Sequence, residues 1–336
     1  MSTTNDLMTR ARARDGAAFQ TLTEPHRREL LVHCYRMLGS LQDAEDALQD
    51  TLLDAWQGLD RFQARASMRT WLYRIATNRC LSALRSARRR PAKAWDIPAI
   101  EPPEPSRLGE LVWLEPFPDA VLEGVINAPL GPEEHYAQTE AISLAFITAL
   151  QVLPARQRAV LILRDVLGYH ANEVAQMLDS TVESVTSALK RARANLERQV
   201  PPEKRGADLT RGSAAEQELV GRFVKAFQSG DLGALVALLT EDVRLSMPPI
   251  PLEYHGRDAV ARFYATVFEV AGHYDLVPTR ANGQLAFGAY LHGGAGGIRH
   301  GAGLLVLTVT AGRICALTRF DNDVLASFGL PRSLSG

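Results

Sequence analysis

The first 140 residues of this chain sort their charges into blocks, and that sorting limits what the chain can fold into and meet. Residues 39–60 (GSLQDAEDALQDTLLDAWQGLD) carry six acids and no Lys or Arg. Residues 61–93 carry ten basic residues and no acid, and residues 94–140 carry ten acids against Arg107 alone. A net charge of −1 over the whole chain conceals this. Ordinary solvated surface mixes its signs, so single-sign blocks predict separate surfaces. The acidic blocks suit a basic protein or a positively charged channel, and the basic block suits nucleic acid.

Hydrophobic periodicity places these blocks on helices. Residues 5–38 predict helices broken at Asp15-Gly16, with Leu22, Leu30, Leu31, Val32 and Tyr35 as apolar positions of the second. After a Gly39-Ser40 turn, residues 42–57 predict an amphipathic helix. Ala44, Leu48, Leu52 and Trp56 line its apolar side, and Asp43, Asp46, Asp50 and Asp54 form one acidic stripe. Taken alone, that stripe reads as a solvated helix face, and it lacks the ligand spacing of a calcium loop. A polar loop from Arg61 to Ser67 leads into a basic helix over 68–89, which Ser67 can cap. Trp71, Leu72, Ile75, Leu81 and Leu84 can hold that helix to a bundle. Its arginines, interleaved with Trp71 and Tyr73, are what melted DNA asks for: cations for the backbone and aromatic rings for unstacked bases. Trp71 by itself reads as core.

Residues 91–132 hold half of the 18 prolines and predict an extended linker, with short helical turns at Leu108–Leu114 and Ala120–Val125. Beyond it, 157–167 predicts a helix ended by Gly168. Helix 171–178, an Asp179-Ser180 turn and a helix over 181–198 then have helix-turn-helix dimensions. Ser180 with Glu183 fits a capping box. Val182, Val185, Leu189, Ala192 and Leu196 form the buried side of the last helix. Ser184, Ser187, Lys190, Arg191 and Arg193 form the other, with the short polar and basic chains a major-groove helix needs. An ordinary two-helix hairpin with a basic solvated face is the alternative. After a linker at 201–212, helices near 214–229, 231–239 and 257–270 precede strand-like runs at 273–280, 284–292, 301–310 and 313–321, which predicts an α+β domain.

A hydrophobic content of 46% supports real cores, and no apolar run approaches membrane-spanning length. The polar start has no signal-peptide character, which predicts a cytoplasmic protein with no membrane partner. Three cysteines (Cys34, Cys80, Cys315) stand apart without a CxxC, which predicts buried free thiols and neither a disulfide framework nor a metal site. No cofactor is expected, and GGAGG at 293–297 reads as a hairpin loop, not a nucleotide fingerprint.

Acidic helix, basic helix and helix-turn-helix, in this order, resemble the extracytoplasmic-function (ECF) group of bacterial RNA polymerase sigma factors. The resemblance covers about residues 1–200. DAEDALQDTLLDAW (43–56) resembles the family's polymerase-binding helix, and SMRTWLYRIATNRCLSALR (67–85) its promoter-melting helix. LPARQRAVLILRDVLGYHANEVAQMLDSTVESVTSALKRARANL (153–196) is similar to its second DNA-binding domain. The resemblance implies core RNA polymerase (clamp coiled coil and upstream-side flap) and promoter DNA as partners. Asp43, Asp46, Leu48, Asp50 and Asp54 would meet polymerase. Arg61, Arg65, Arg69, Trp71, Arg74, Asn78, Arg79, Arg85 and Arg88 would melt and hold the downstream element. Ser184, Ser187, Lys190, Arg191 and Arg193 would read the upstream one. The acidic linker would thread the polymerase's positively charged interior.

The last third resembles the SnoaL-like, ketosteroid-isomerase-like cone on its element order and on GRDAVARFY (256–264). Such a fold also hosts enzymes, whose general base would be sought among His255, His273, Asp275, His292 and Asp321; no pair of these has a compelling spacing, and no catalytic residue is assigned. The expected organisation is therefore two all-α domains, 10–90 and 133–200, joined by linker 91–132, and an α+β SnoaL-like domain at 213–330 after linker 201–212. The expected activity is promoter-directed initiation without chemistry. The C-terminal domain would modulate it through a small ligand or through contact with residues 1–200. A free-standing ligand-responsive DNA-binding regulator, or a SnoaL-like enzyme with a DNA-targeting module, are the alternatives.

Overall fold

A computed structural model of the chain describes residues 2–62, 66–86, 93, 95, 101–109, 113–122, 141–199, 209–271, 274–292 and 297–335. The chain divides into two compact units, one of residues 1–90 with 121–199 and one of residues 91–120 with 200–336.

The first unit is helical. It contains α1 (Ser2–Arg12), α2 (Gly16–Leu38), α3 (Leu41–Gly58) and α4 (Met68–Ser86), then α5 (Leu144–Val152), α6 (Ala155–Leu161), α7 (Ala171–Met177) and α8 (Val182–Gln199). Local chemistry sets the boundaries. The Asp15 carboxylate accepts the amides of Ala17 and Ala18 at 3.0 and 3.1 Å and starts α2. Gly39, at φ +76°, ends it with its N–H on Tyr35 O, a left-handed position that favours glycine. Ser40 Oγ accepts Asp43 N–H at 3.1 Å to open α3, and Ser67 Oγ accepts Thr70 N–H at 3.1 Å beside the start of α4. One expected cap moves. Thr181 Oγ1, not Ser180, accepts Ser184 N–H at 3.2 Å, and the Ser180 N–H closes the preceding helix on Ala175 O at 2.9 Å. Val182 is consequently 41% exposed instead of buried, and Val185, Ala188, Leu189 and Ala192 form the inner side of α8.

Leu30, Cys34, Tyr35 and Met37 of α2, Ala44 and Ala55 of α3, and Leu72, Tyr73, Ala76 and Cys80 of α4 are wholly buried. His33 lies among them. Its Nε2 is 2.9 Å from Thr77 Oγ1, and that hydroxyl donates to Tyr73 O at 2.7 Å. Thr77 therefore accepts from His33, so Nε2 carries the imidazole proton and Nδ1 is buried without a partner.

The second unit is α+β. Helices α9 (Ala214–Ser229), α10 (Leu232–Ala237) and α11 (Arg257–Ala271) accompany one sheet of strands β1 (Arg107–Leu108), β2 (Leu239–Met247), β3 (Ile250–His255), β4 (Tyr274–Ala281), β5 (Gln284–His292), β6 (Arg299–Thr310) and β7 (Arg313–Phe320) in the order β1-β3-β2-β7-β6-β5-β4, with β8 (Ser333–Leu334) on β6. The β2–β7 pair is parallel and the others are antiparallel. Phe223 and Phe227 of α9 and Phe263 and Tyr264 of α11 pack with Leu245, Tyr254, Tyr274, Phe287, Leu307 and Leu317 of the sheet. At Gly303 (φ +138°) a Cβ would lie 2.3 Å from Phe320 O, so only glycine allows β6 this close to β7.

Two features differ from expectation. Strands β2 and β3 stand between α10 and α11, where no strand was expected. Their signal was masked because the β2–β7 register shifts between Leu239 and Arg244, which interrupts the period-two alternation. The Pro-rich segment, expected as an extended linker with turns at 108–114 and 120–125, contributes strand β1 and one helical turn at Asp119–Leu122. Residues 110–112 and 123–140 lie outside the described residues.

Burial, reinforced by the Arg36 and Arg69 charges, lowers the His33 pKa to about 3. Unfolded, this imidazole binds its proton near pH 6.5, so its neutral burial stabilises the fold fully above that pH and less as pH falls towards the folded value. From about pH 7.5 to about pH 5.5 the chain should lose about 1.4 kcal/mol at this site. Urea unfolding at the two pH values should show that loss, and His33→Gln should abolish it. An unchanged slope in the variant would mean the histidine is not buried neutral.

Candidate polymerase and promoter surfaces

The acidic stripe lies along α3. Asp46 and Asp50 are exposed, and Asp43 and Asp54 are half-buried. Leu48, expected at the polymerase contact, is buried at 7% exposure, so it holds α3 to the bundle and does not face a partner in this conformation. Asp54 forms a two-pronged ion pair with Arg79, whose guanidinium also lies 3.8 Å from Asp50. One end of the surface expected to meet polymerase and one member of the set expected to meet DNA thus neutralise each other.

On α4, Arg61 in the preceding turn, Arg74, Asn78 and Arg85 are exposed, and Arg85 donates to Ser82 Oγ at 2.9 Å. Trp71 is half-buried against Phe62, with ring centroids 4.9 Å apart, which places it at the edge of the core. Arg65 and Arg88 lie outside the described residues. Arg69 is held most firmly. Its Nε donates to Glu29 Oε2 at 2.8 Å, and its guanidinium lies over the rings of Tyr73 and Tyr169 at 4.8 and 5.8 Å.

Three of these side chains meet the second helical half directly. Arg69 donates to Tyr169 Oη at 3.3 Å, Arg74 pairs with Asp179 at 3.0 Å, and Asn78 Nδ2 reaches Met177 O at 3.5 Å. Arg69, Arg74 and Asn78 of the set expected to take melted DNA therefore touch the second helical half, with Arg74 and Asn78 still exposed beside it. Sequence periodicity could not show this, because Glu29, Tyr169 and Asp179 are isolated polar positions whose partners stand 40 to 105 residues away.

In the helix-turn-helix itself, Gly168 (φ +73°) turns the chain out of α6 and its π-helical extension (Ile162–Val166), and Glu173 accepts the His170 N–H at 2.7 Å to start α7. Asp179, at φ +47°, makes the turn into α8. Ser184, Ser187, Lys190 and Arg191 are exposed on one side of α8. Arg193, expected with them, is also exposed but paired in both prongs with Asp165 at 2.7 and 2.8 Å, which fixes α8 to the π-helical extension of α6.

The α+β unit ties up its titratable candidates. His255 Nε2 is 2.8 Å from Glu253, and Asp275 is 2.6 Å from Arg299 and 3.2 Å from His292. Asp321 is paired with Lys93, and His273 lies outside the described residues. Among the described residues, no cluster of His, Cys, Asp and Glu could hold a metal ion, and no helix is long and apolar enough to cross a membrane.

Residues 22–90 match the family model for Sigma-70 region 2, residues 143–196 that for Sigma-70 region 4, and residues 220–317 that for the SnoaL-like domain. Along 325 residues the chain is 40% identical to the ECF RNA polymerase sigma factor SigG of Mycobacterium tuberculosis, covering 94% of this chain and 85% of that protein. This chain belongs to the ECF RNA polymerase sigma factors. It is also 32% identical over 186 residues to SigM of the same species, covering 55% of this chain and 79% of SigM. The crystal structure of M. tuberculosis SigJ, 23% identical, shares the fold with a TM-score of 0.60 over 94% of this chain and 99% of that one. Its close relatives are sigma factors, not enzymes.

In this sigma factor, region 4 covers part of the basic helix of region 2. Tyr169, 7% exposed and 5.8 Å edge-on to Tyr73, is the aromatic centre of that cover. Tyr169→Ala should therefore raise the affinity of the full chain for single-stranded DNA about threefold to tenfold, read by fluorescence anisotropy at low salt. Asp179→Asn, which removes the carboxylate of an exposed ion pair and keeps a residue that tolerates the left-handed turn, should raise it less. Equal affinities for both variants and the parent chain would show that the cover does not compete with DNA.

Proposed function

We propose that this sigma factor recruits core RNA polymerase through the exposed middle of the α3 acidic stripe, at Asp46 and Asp50. Region 2 then engages the opened downstream element through Arg61, Arg69, Arg74, Asn78, Arg79 and Arg85, with Trp71 beside them, and region 4 reads the upstream element through α8. Binding energy alone drives recruitment and strand separation, and no covalent step is assigned to any residue. The α+β unit modulates initiation and is not catalytic.

The observation that carries this reading is the outward side of α8. Ser184, Ser187, Lys190 and Arg191 are exposed together, and Val185, Leu189 and Ala192 anchor the opposite side. Short hydroxyls near a helix start approach base edges closely, and long cations further along reach phosphates. The pair Arg193–Asp165 orients this helix, so Arg193 acts by positioning α8 and not by contacting DNA. Arg79 contributes to DNA binding once Asp54 releases it. Asp54 then joins Asp43, Asp46 and Asp50 at the polymerase.

Run-off transcription with core polymerase, on promoters selected from the same genome, tests the function as a whole; absence of specific initiation would refute it. Asp46→Lys combined with Asp50→Lys should weaken holoenzyme formation at least tenfold, and unchanged assembly would return the stripe to a solvated helix face. Lys190→Ala combined with Arg191→Ala should weaken upstream-element binding and flatten the slope of log K against log salt by about two, since each phosphate contact contributes about 0.9.

A further inference from the structure

The match to Sigma-70 region 2 begins at residue 22, so helix α1 and the turn after it precede that region. Two arginines there nevertheless hold main chain at its centre. Arg12, at the end of α1, donates to Phe62 O at 2.6 Å. Arg14, in the following turn, donates to Trp56 O at 3.2 Å, pairs with Asp60 at 3.1 Å and lies over the Trp56 ring at 5.6 Å. These partners form the end of α3 and the 3₁₀ turn Leu59–Arg61, just before the loop that leads into α4. Arg14 keeps this place at φ +67°, a left-handed conformation that strains a residue with a side chain. Its ion pair does little to repay that strain, because the side chains of Arg14 and Asp60 are 53% and 58% exposed.

The main chain they hold carries the strand-opening surface. Phe62 is buried, packs on Trp71 with ring centroids 4.9 Å apart, and closes the turn with its N–H on Leu59 O at 3.1 Å. Trp71 Cζ2 would stand 3.7 Å from a Cβ at Gly58, the last residue of α3. Arg61 is exposed one peptide unit from Phe62. A hold on Phe62 O therefore fixes two neighbours, the Trp71 ring through the Phe62 ring and Arg61 through the backbone.

We propose that Arg12 and Arg14 are positioning residues for the capture of unpaired promoter bases: they anchor the main chain at Trp56 and Phe62, and through it place Trp71 and Arg61 against the opened strand. Their role rests on the region 2 reading above and adds to it two residues that precede that region. A surface that takes an unstacked base needs its aromatic ring and its cation set in advance, because ordering them at the moment of binding costs affinity.

The test uses holoenzyme of the full chain and a short fluorescein-labelled single strand that the parent selects from a random pool, beside the same bases scrambled. Arg12→Ala combined with Arg14→Gly should lower affinity for the selected strand about tenfold and leave the scrambled strand unchanged. Arg14→Gly alone should lose about threefold with a thermal midpoint no lower than the parent's, since glycine relieves the left-handed position. Arg12→Lys, which keeps a cation able to donate to Phe62 O, should retain most of the affinity that Arg12→Ala loses. Equal loss on both strands would make the arginines direct phosphate contacts and overturn the positioning role. Unchanged selectivity in the double variant would also overturn it, as would a fall in the Arg14→Gly midpoint that accounts for its loss. A parent holoenzyme that selects no sequence would instead refute the region 2 reading, and the role of the two arginines with it.

Discussion

The helical unit is organised around a cation buried without a carboxylate. Arg158 is 4% exposed; its guanidinium donates to Met37 O and Gln151 Oε1, and to Gln151 O and Leu153 O at 2.8 and 3.3 Å. Burial lowers its pKa to about 10, so it stays charged at neutral pH. Met37 O is one of the last carbonyls of α2, which lack helical partners and carry the negative end of the helix dipole. Gln151 Nε2 takes Arg36 O at 3.3 Å, and Arg36 Nε crosses to Ala141 O at 3.0 Å. The C-terminus of α2 is thus capped by side chains of the second half. Stranding any one of these buried carbonyls costs about 1–3 kcal/mol, so the two halves share one polar core.

That core places region 4 against α4, and the recognition surfaces pair with what is near them. The bonds there are of a different kind. Arg74–Asp179 has side chains 48% and 77% exposed, and Arg79–Asp54 has 41% and 31%. Exposed pairs of this sort contribute about 0–1 kcal/mol, and a phosphate or a basic helix can replace either partner with little net loss. Arg158 has no such substitute, because its guanidinium is buried and its acceptors are three main-chain carbonyls and the Gln151 side-chain oxygen. Specific surfaces are closed weakly and the frame is closed strongly.

Most of this frame was legible in the sequence wherever a local rule sufficed. Asp15-Gly16, Gly39-Ser40 and Gly168 act within one turn of themselves, so helix limits followed from them. The acidic stripe and the outward side of α8 followed from helical period alone. Legibility ended where a partner lies far along the chain. Leu48 belonged to both an apolar spacing and an acidic block, and only packing decides that it points inward. Arg193 matches Lys190 and Arg191 in type, yet Asp165 claims it across the turn. Strand β2 was hidden by its bulge. The Pro-rich connector was read from its prolines as an extended linker, and the strand it contributes, Arg107–Leu108, contains no proline and pairs with β3 far along the chain.

The contrast between frame and connector follows from magnitudes. Strand β1 has two residues, and its net hydrogen bonds contribute about 0.5–1.5 kcal/mol each. Trp95 is only partly buried against the core of its unit, and Lys93 bridges to Asp323, which is 80% exposed. A cation over an indole at such a site adds about 0.5–1 kcal/mol. Each contact is small, but together they cover a strand edge that would otherwise present unpaired main-chain groups to water. The connector is thus held by small, solvent-reachable contacts at Lys93, Trp95 and β1 and by one buried anchor, Phe117 hydrogen-bonded to Asn282. The Arg158 network differs in kind, because its guanidinium and the Met37 and Leu153 residues whose carbonyls it holds are buried.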